Sequence, residues 1–145
     1  MIARRTFLAG VALLPLSSAY ATPEALQAAI KEVVGGKTMR EGKVAIDIPS
    51  LVENGNTVPL TVTVESPMTA DDRIKAIHVF NEKNPQPHVY NATLGPAAAK
   101  ARIETRIKLG DSQKIVAIAE TSKGEFWTAS ADVIVTLAAC LEDLT

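Results

Sequence analysis

From residue 43 onward, apolar and polar side chains alternate with a period of two, and this pattern constrains the possible folds more than any other feature. Between residues 102 and 109, charged side chains occupy every even position, while Ile103, Ile107 and Leu109 occupy odd positions. Such alternation is typical of a β-strand with one buried face. The pattern predicts seven strands, at residues 43–48, 57–64, 73–80, 88–94, 99–109, 113–120 and 132–138.

Turn-forming residues separate the predicted strands, and no helical pattern comes between them. The turns are predicted at residues 54–56, 84–87, 110–112 and 123–125, which contain Asn, Gly and Pro. Short strands in this arrangement indicate an all-β chain folded as an immunoglobulin-like antiparallel β-sandwich. A short N-terminal helix is also predicted at Pro23–Val34, with Thr22 as its N-cap and Gly35 just after its end.

The first 21 residues have the three parts of a bacterial export signal. Arg4 and Arg5 form a positive start, residues 7–16 form an apolar stretch, and residues 19–21 (Ala-Tyr-Ala) form a cleavage site. The apolar stretch is about half as long as a membrane span, so no membrane association is expected after cleavage. The arginine pair favours the twin-arginine route, with ordinary secretion as the alternative. Residues 22–145 are then expected to form one periplasmic domain.

The composition excludes several classes of function. Fifteen Lys and Arg residues against sixteen Asp and Glu residues give a net charge of −1, so nucleic acid is not an expected partner. The single cysteine excludes an internal disulfide and multi-thiolate metal sites. No Gly-x-Ser-x-Gly sequence is present, and the acids show no pairing that indicates hydrolysis, so hydrolytic catalysis is not expected.

Cys140 is the leading candidate for chemistry. The last predicted strand directs Val133, Val135 and Leu137 to the core, so continued alternation places Cys140 on the opposite, polar face. An unpaired cysteine in an exported protein indicates intermolecular bonding or a reactive thiol. The alternative, an inert cysteine buried as a small hydrophobic residue, stays open.

A copper centre is the second candidate. The chain contains the residue types of a mononuclear copper site, namely His78, His88, Cys140, Met39 and Met68. However, no His or Met follows Cys140, so the short loop that usually carries several copper ligands is missing. We therefore predict no metal and no cofactor.

One long segment resembles a known family. Residues 49–59, Pro-Ser-Leu-Val-Glu-Asn-Gly-Asn-Thr-Val-Pro, resemble the Pro-x-(Ile/Val)-x-Glu-Asn-Gly-Asn-x-Val-Pro segment of the SoxY family. Shorter stretches at residues 66–72, 81–87, 105–109 and 116–120 resemble the same family. Locally, residues 53–56 are interpreted as a turn without chemistry.

The resemblance implies a carrier rather than an enzyme. SoxY is a subunit of the periplasmic SoxYZ sulfur carrier, in which a cysteine near the C-terminus binds thiosulfate-derived sulfur covalently. By position, Cys140 matches that cysteine. The implied partners are a SoxZ-like β-sandwich subunit, with which the chain forms a heterodimer, and separate Sox enzymes. These enzymes bind transiently and oxidise or hydrolyse the cargo.

The end of the chain departs from the family pattern. The family arm reads Gly-Gly-Cys-Gly-Gly, whereas residues 138–145 here read Ala-Ala-Cys-Leu-Glu-Asp-Leu-Thr. The arm is therefore bulkier and stiffer, and its acids repel an anionic cargo. Three alternatives follow: a divergent carrier, a SoxY-like binding or scaffold module that has lost the arm, or a tail that is not native after Cys140.

Overall fold

Nine strands and one helix lie between residues 21 and 140, the part of the chain that this computed structural model describes. The predicted export signal lies outside the described residues except for Ala21, as do residues 141–145. The elements are α1 (Pro23–Val34), β1 (Met39–Glu41), β2 (Val44–Asp47), β3 (Leu51–Val52), β4 (Val58–Val64), β5 (Ile74–Asn81), β6 (His88–Thr93), β7 (Arg102–Ile107), β8 (Gln113–Thr121) and β9 (Phe126–Val135).

The strands form two sheets. The larger sheet has the order β1-β9-β8-β5-β6, with β3 also paired to β9, and the smaller sheet has the order β2-β4-β7. All seven predicted strands are present, and every pair among them is antiparallel. The predicted immunoglobulin-like β-sandwich is confirmed.

Two short strands were not predicted. β1 and β3 contain three and two residues, and both pair with β9 in the parallel direction. Segments this short cannot show an alternating pattern, and their pairing depends on a partner strand far along the chain. The larger sheet is therefore mixed rather than purely antiparallel.

The last strand differs from the prediction at both ends. β9 begins at Phe126 rather than at residue 132; residues 127–131 alternate as Trp-Thr-Ala-Ser-Ala, but the prediction missed them because small alanines give only a weak strand signal. It ends at Val135, so the alternation no longer directs the side chains that follow. Val133 is buried as predicted, but the predicted core residue Leu137 is 62% exposed.

The main core lies between the two sheets. The alternating residues of β4 and β7 face it as predicted, and those that are buried are Val58, Leu60, Val62, Val64, Ile103 and Ile107. They pack against apolar residues of β5 and β8, such as Ile77, Val79 and Ile115. Burial of these aliphatic side chains is the main contribution to stability, at about 1.5–3 kcal/mol for each fully buried one.

Helix α1 has the predicted ends and packs on the outer surface of the larger sheet. The Thr22 hydroxyl accepts a hydrogen bond from the Ala25 N–H at 3.2 Å, and Gly35 has the left-handed conformation, with φ of 63°. A second apolar cluster joins the helix to the sheet through Leu26, Ile30, Val34, Phe80, Ile118 and Phe126. Between residues 21 and 140, no helix has the length and apolar character needed to cross a membrane.

Candidate functional site

Cys140 lies beyond the end of β9, and its side chain is exposed. The sequence predicts an unburied thiol from strand alternation, but the structure places it there for a different reason. Because β9 ends at Val135, the position of Cys140 depends on contacts with other parts of the chain. We call residues 137–140 the tail root.

The turn at residues 54–56 contacts the tail root at two points. The Gly55 N–H donates a hydrogen bond to the Leu137 carbonyl at 2.8 Å. The Asn56 Oδ1 accepts a hydrogen bond from the Cys140 N–H at 3.1 Å. The predicted turn is therefore present, and it also binds the backbone of the residue that carries the thiol.

Leu109 contacts both the 54–56 turn and the tail root. Its N–H donates to the Gly55 carbonyl at 2.8 Å, and its carbonyl accepts from the Ala139 N–H at 2.9 Å. The side chain of Leu109 is fully buried in the main core. Hydrogen bonds thus join the 54–56 turn, Leu109 and the tail root, three segments that are far apart in sequence, at the edge of the core.

Gly55 occupies a position that has no room for a side chain. A Cβ atom there would lie 2.3 Å from the Leu109 carbonyl oxygen and 2.9 Å from the Ala139 nitrogen. Both distances are shorter than van der Waals contact, and both neighbours are backbone atoms. Glycine at residue 55 therefore permits the close approach of the turn to the tail root.

A second family-like segment supports Leu109 from the other side. Asn84, from the stretch at residues 81–87, is buried, and its Nδ2 donates to the Lys108 carbonyl at 2.8 Å. Its Oδ1 accepts from the Gly110 N–H at 3.0 Å and from the Gln113 side-chain amide at 2.9 Å. The residues on both sides of Leu109 are thereby fixed.

The copper candidates are distributed over separate elements. His78 and His88 lie on β5 and β6, with ring centroids 5.9 Å apart. The His78 Nδ1 is 2.9 Å from the Asn91 Oδ1, and Met68 accepts a hydrogen bond from the Ile74 N–H at its sulfur. Among residues 21–140, no group of three or more His, Cys, Asp or Glu side chains is placed to hold a metal ion.

A cavity of about 310 Å³ opens between β6 and β7. It is lined in part by Tyr90, Arg106 and Lys108, and Cys140 is not among its lining residues. The thiol therefore lies on the surface rather than inside this cavity.

Comparison with known proteins decides the family. Residues 30–140, which include the 54–56 turn and the tail root, match the family model of the sulfur oxidation protein SoxY. This chain belongs to the SoxY family. The match extends as far as Cys140, and the resemblance inferred from residues 49–59 is confirmed.

Solved structures agree with this assignment. The sulfur carrier protein SoxY from Chlorobium limicola f thiosulfatophilum has 25% sequence identity and a TM-score of 0.67, over 80% of this chain and 100% of that chain. A superoxide reductase (neelaredoxin) from Ignicoccus hospitalis has 19% identity and a TM-score of 0.59, over 84% of this chain and 99% of its own. The superoxide reductase from Nanoarchaeum equitans has 15% identity and a TM-score of 0.56, over 66% of this chain and 100% of its own.

The two reductases show only that the SoxY-family fold is shared more widely. A search of curated proteins finds no match to this chain.

Cys140 is the predicted candidate residue, but the residues that hold its backbone were not predicted. Gly55 and Asn56 were interpreted as turn residues, and Leu109 as a core residue. The contact between Asn56 and Cys140 spans 84 positions, so no local pattern reveals it. The signal that was available is the family segment itself, because a turn without chemistry does not require a specific Glu-Asn-Gly-Asn sequence.

Proposed function

We propose that this SoxY-family protein is a periplasmic sulfur carrier, to which thiosulfate-derived sulfur is bound covalently at Cys140. The observation that supports this most directly is an exposed thiol at the end of a backbone segment that hydrogen bonds hold. The carrier named in the solved Chlorobium structure, at 25% identity, supports the same proposal.

The chemistry of attachment requires a separate redox partner. The Cys140 thiol and thiosulfate form a sulfur–sulfur bond, and this step releases one proton and two electrons. A distinct electron-accepting enzyme must take up those electrons. Hydrolysis of the bound cargo is a further step for another enzyme, so the chain itself acts as a substrate carrier.

We further propose a SoxZ-like subunit as the stable partner. Three large apolar side chains, Leu51, Ile134 and Leu137, are 58%, 59% and 62% exposed, and they lie on β3, β9 and the tail root. Leu51 and Ile134 are cross-strand neighbours. An exposed apolar patch of this kind is typical of a surface that a partner covers.

Export to the periplasm is part of the same proposal. It is supported by membership of the SoxY family and by the arginine pair, apolar stretch and Ala-Tyr-Ala sequence of residues 1–21. Analysis of the N-terminus of protein recovered from the periplasm tests it, since cleavage after Ala21 leaves Thr22 as the first residue.

Intact-mass analysis of protein from thiosulfate-grown cells tests the carrier proposal. Wild-type protein should carry a sulfur adduct that reducing agents remove, and Cys140→Ser should carry none. Because the chain contains one cysteine, this single variant is a complete control.

An adduct-free wild-type protein that still binds a SoxZ-like subunit would contradict the carrier function. That result would instead support the alternative, a SoxY-like scaffold module whose arm has lost its function.

A further inference from the structure

We propose that the 54–56 turn is a positioning device for the cysteine arm, with Asn56 as the residue that holds Cys140. This inference deepens the proposed carrier function and rests on it for its biological meaning. The structural observation behind it does not depend on that function. The last hydrogen bond along the tail root is donated by the Cys140 N–H, and a side chain supplies the acceptor.

The orientation of the Asn56 amide is determined by its neighbour. The Asn54 Oδ1 accepts hydrogen bonds from the Asn56 N–H at 3.0 Å and from the Asn56 Nδ2 at 3.1 Å. Since the nitrogen of the Asn56 amide is occupied by Asn54, its oxygen is directed to the Cys140 N–H. The two asparagines therefore act together, Asn54 by orienting Asn56 and Asn56 by binding Cys140.

Hydrogen bonds hold the backbone at several positions along the segment that leads from β9 to the thiol. The Thr136 N–H donates to the Val52 carbonyl at 2.9 Å, and Leu137, Ala139 and Cys140 then each make one hydrogen bond to the 54–56 turn or to Leu109. The first of these contacts are backbone to backbone, whereas the contact at Cys140 is to an exposed side chain. The Cys140 contact is therefore the one that opens most readily.

Two positions of the cargo follow from this arrangement. In the held position, the Cys140 backbone is bound to Asn56, and only its side chain extends from the surface. In the released position, the hydrogen bond to Asn56 is broken, and the Cys140 backbone is free to move with the thiol. Asn56 sets the balance between the two, which determines how far the thiol reaches toward another protein.

The single cysteine allows a direct test on the intact protein. A methanethiosulfonate nitroxide forms a disulfide with Cys140 and releases methanesulfinate, so one spin label reports on one site. In Asn56→Ala, the electron paramagnetic resonance lines of the label should narrow relative to wild type, because the backbone beneath it moves more. In Asn56→Asp, which keeps an acceptor oxygen but loses the Nδ2 hydrogen bond to Asn54, the lines should narrow less than in Asn56→Ala.

Amide hydrogen exchange measured by NMR gives a second readout without a label. The Cys140 N–H should exchange about 5- to 10-fold faster in Asn56→Ala, which corresponds to the loss of one ordinary hydrogen bond. The amides of buried β8 residues such as Ile118 should not change. Asn54→Ala should raise the exchange rate of Cys140 less than Asn56→Ala does, because the acceptor remains but loses its orientation.

A matched control is Gln86→Ala, which changes an exposed amide side chain in a different turn. It should change neither the label spectrum nor the Cys140 exchange rate. Equal Cys140 exchange and equal line shapes in wild type and Asn56→Ala, with the β8 amides protected in both, would overturn the proposal. These measurements need no cargo, so their failure is distinct from a missing sulfur adduct, which concerns the carrier function alone.

Discussion

At the scale of the residue, Gly55 shows why one position in the turn accepts no other side chain. Its N–H and carbonyl bind Leu137 and Leu109, and a Cβ would lie 2.3 Å from the Leu109 carbonyl oxygen. The two atoms nearest to that Cβ, the Leu109 oxygen and the Ala139 nitrogen, belong to the backbone, so neither can move aside as a flexible side chain would. Any substitution must displace the turn, the tail root or both.

We expect Gly55→Ala to lower the free energy of unfolding by about 1–3 kcal/mol, the usual cost of overpacking a tight site. Urea denaturation measures this change. Gly95→Ala is the matched control, because a Cβ at residue 95 meets no heavy atom within 4 Å. If the two variants have the same free energy of unfolding, the close approach at Gly55 does not limit which side chains residue 55 can carry.

His88 is a residue through which stability is expected to respond to mild acid. Its ring stacks on Phe80 with centroids 4.4 Å apart, and loss of solvation on burial lowers its pKa below 6.5. The nearby His78 lowers the pKa further, whereas Asn91 and Glu32 act in the opposite direction. Because the folded state resists protonation, the unfolded chain takes up the proton first as the pH falls.

The contribution of His88 to stability is therefore present above about pH 6.5 and is lost as the pH falls toward the lowered pKa. We expect the free energy of unfolding to decrease as the pH falls below about 6.5, and His88→Phe to weaken that dependence while keeping the ring stack. Denaturation curves at several pH values measure this. Identical pH profiles for the two proteins would contradict the assignment to His88.

At the scale of the element, the turn between β5 and β6 and the turn between β7 and β8 form one unit. Asn84 supplies the connection, with three hydrogen bonds to Lys108, Gly110 and Gln113. Its side chain is buried, so loss of these bonds leaves polar groups without partners. The unit also carries Leu109, which binds the tail root.

Asn84→Ala is expected to cost about 1–3 kcal/mol, the penalty for unpaired buried polar groups. Thermal or urea denaturation measures this, with exposed Gln86→Ala in the same turn as the control. The variant should also raise the exchange rate of the Ala139 amide, since the acceptor at Leu109 becomes less fixed. A stability equal to that of the control would show that water replaces the side chain without cost.

An element could be predicted from the sequence only where the pattern that defines it lies within one short stretch of residues. The core face of β7 could be predicted because Ile103 and Ile107 alternate with charged residues in the same short stretch. β3 could not, because its two residues become a strand only by pairing with Ile134 and Val135. Cys140 could be singled out because it is the single cysteine of the sequence and lies near its end. Its contact with Asn56 could not be predicted, because the two residues are 84 positions apart.

At the scale of the whole molecule, the exposed apolar side chains and the cysteine lie close together along the chain, since Leu51 pairs with Ile134, and Leu137 lies three residues after Ile134 and three before Cys140. The exposed Leu137 belongs to the tail root, and its carbonyl accepts a hydrogen bond from the Gly55 N–H. A partner that covers Leu51 and Ile134 would therefore contact the base of the arm. Assembly and arm position are expected to influence each other through Leu137.

Ile134→Ser should weaken binding to a SoxZ-like subunit by about tenfold or more, as loss of a central apolar contact does. Its effect on the stability of the isolated chain should stay within about 0.5 kcal/mol, because the side chain is exposed. Titration calorimetry and denaturation measure the two quantities. Asp132→Ser, on the same face of β9, is the control for a change that removes no apolar contact, and an affinity of Ile134→Ser equal to that of wild type would place the interface elsewhere.

The position of β9 has a mechanical consequence for the arm that follows it. One edge of β9 pairs with β8 along most of its length, and the other edge pairs with β1 near its start and β3 near its end. An enzyme that grips the cargo and pulls along the strand would strain these hydrogen bonds together in shear, rather than peel them apart singly. Tension on the arm would thus be distributed over the hydrogen bonds of the larger sheet, and the SoxY-family sandwich would resist unfolding when a partner enzyme pulls on the cargo.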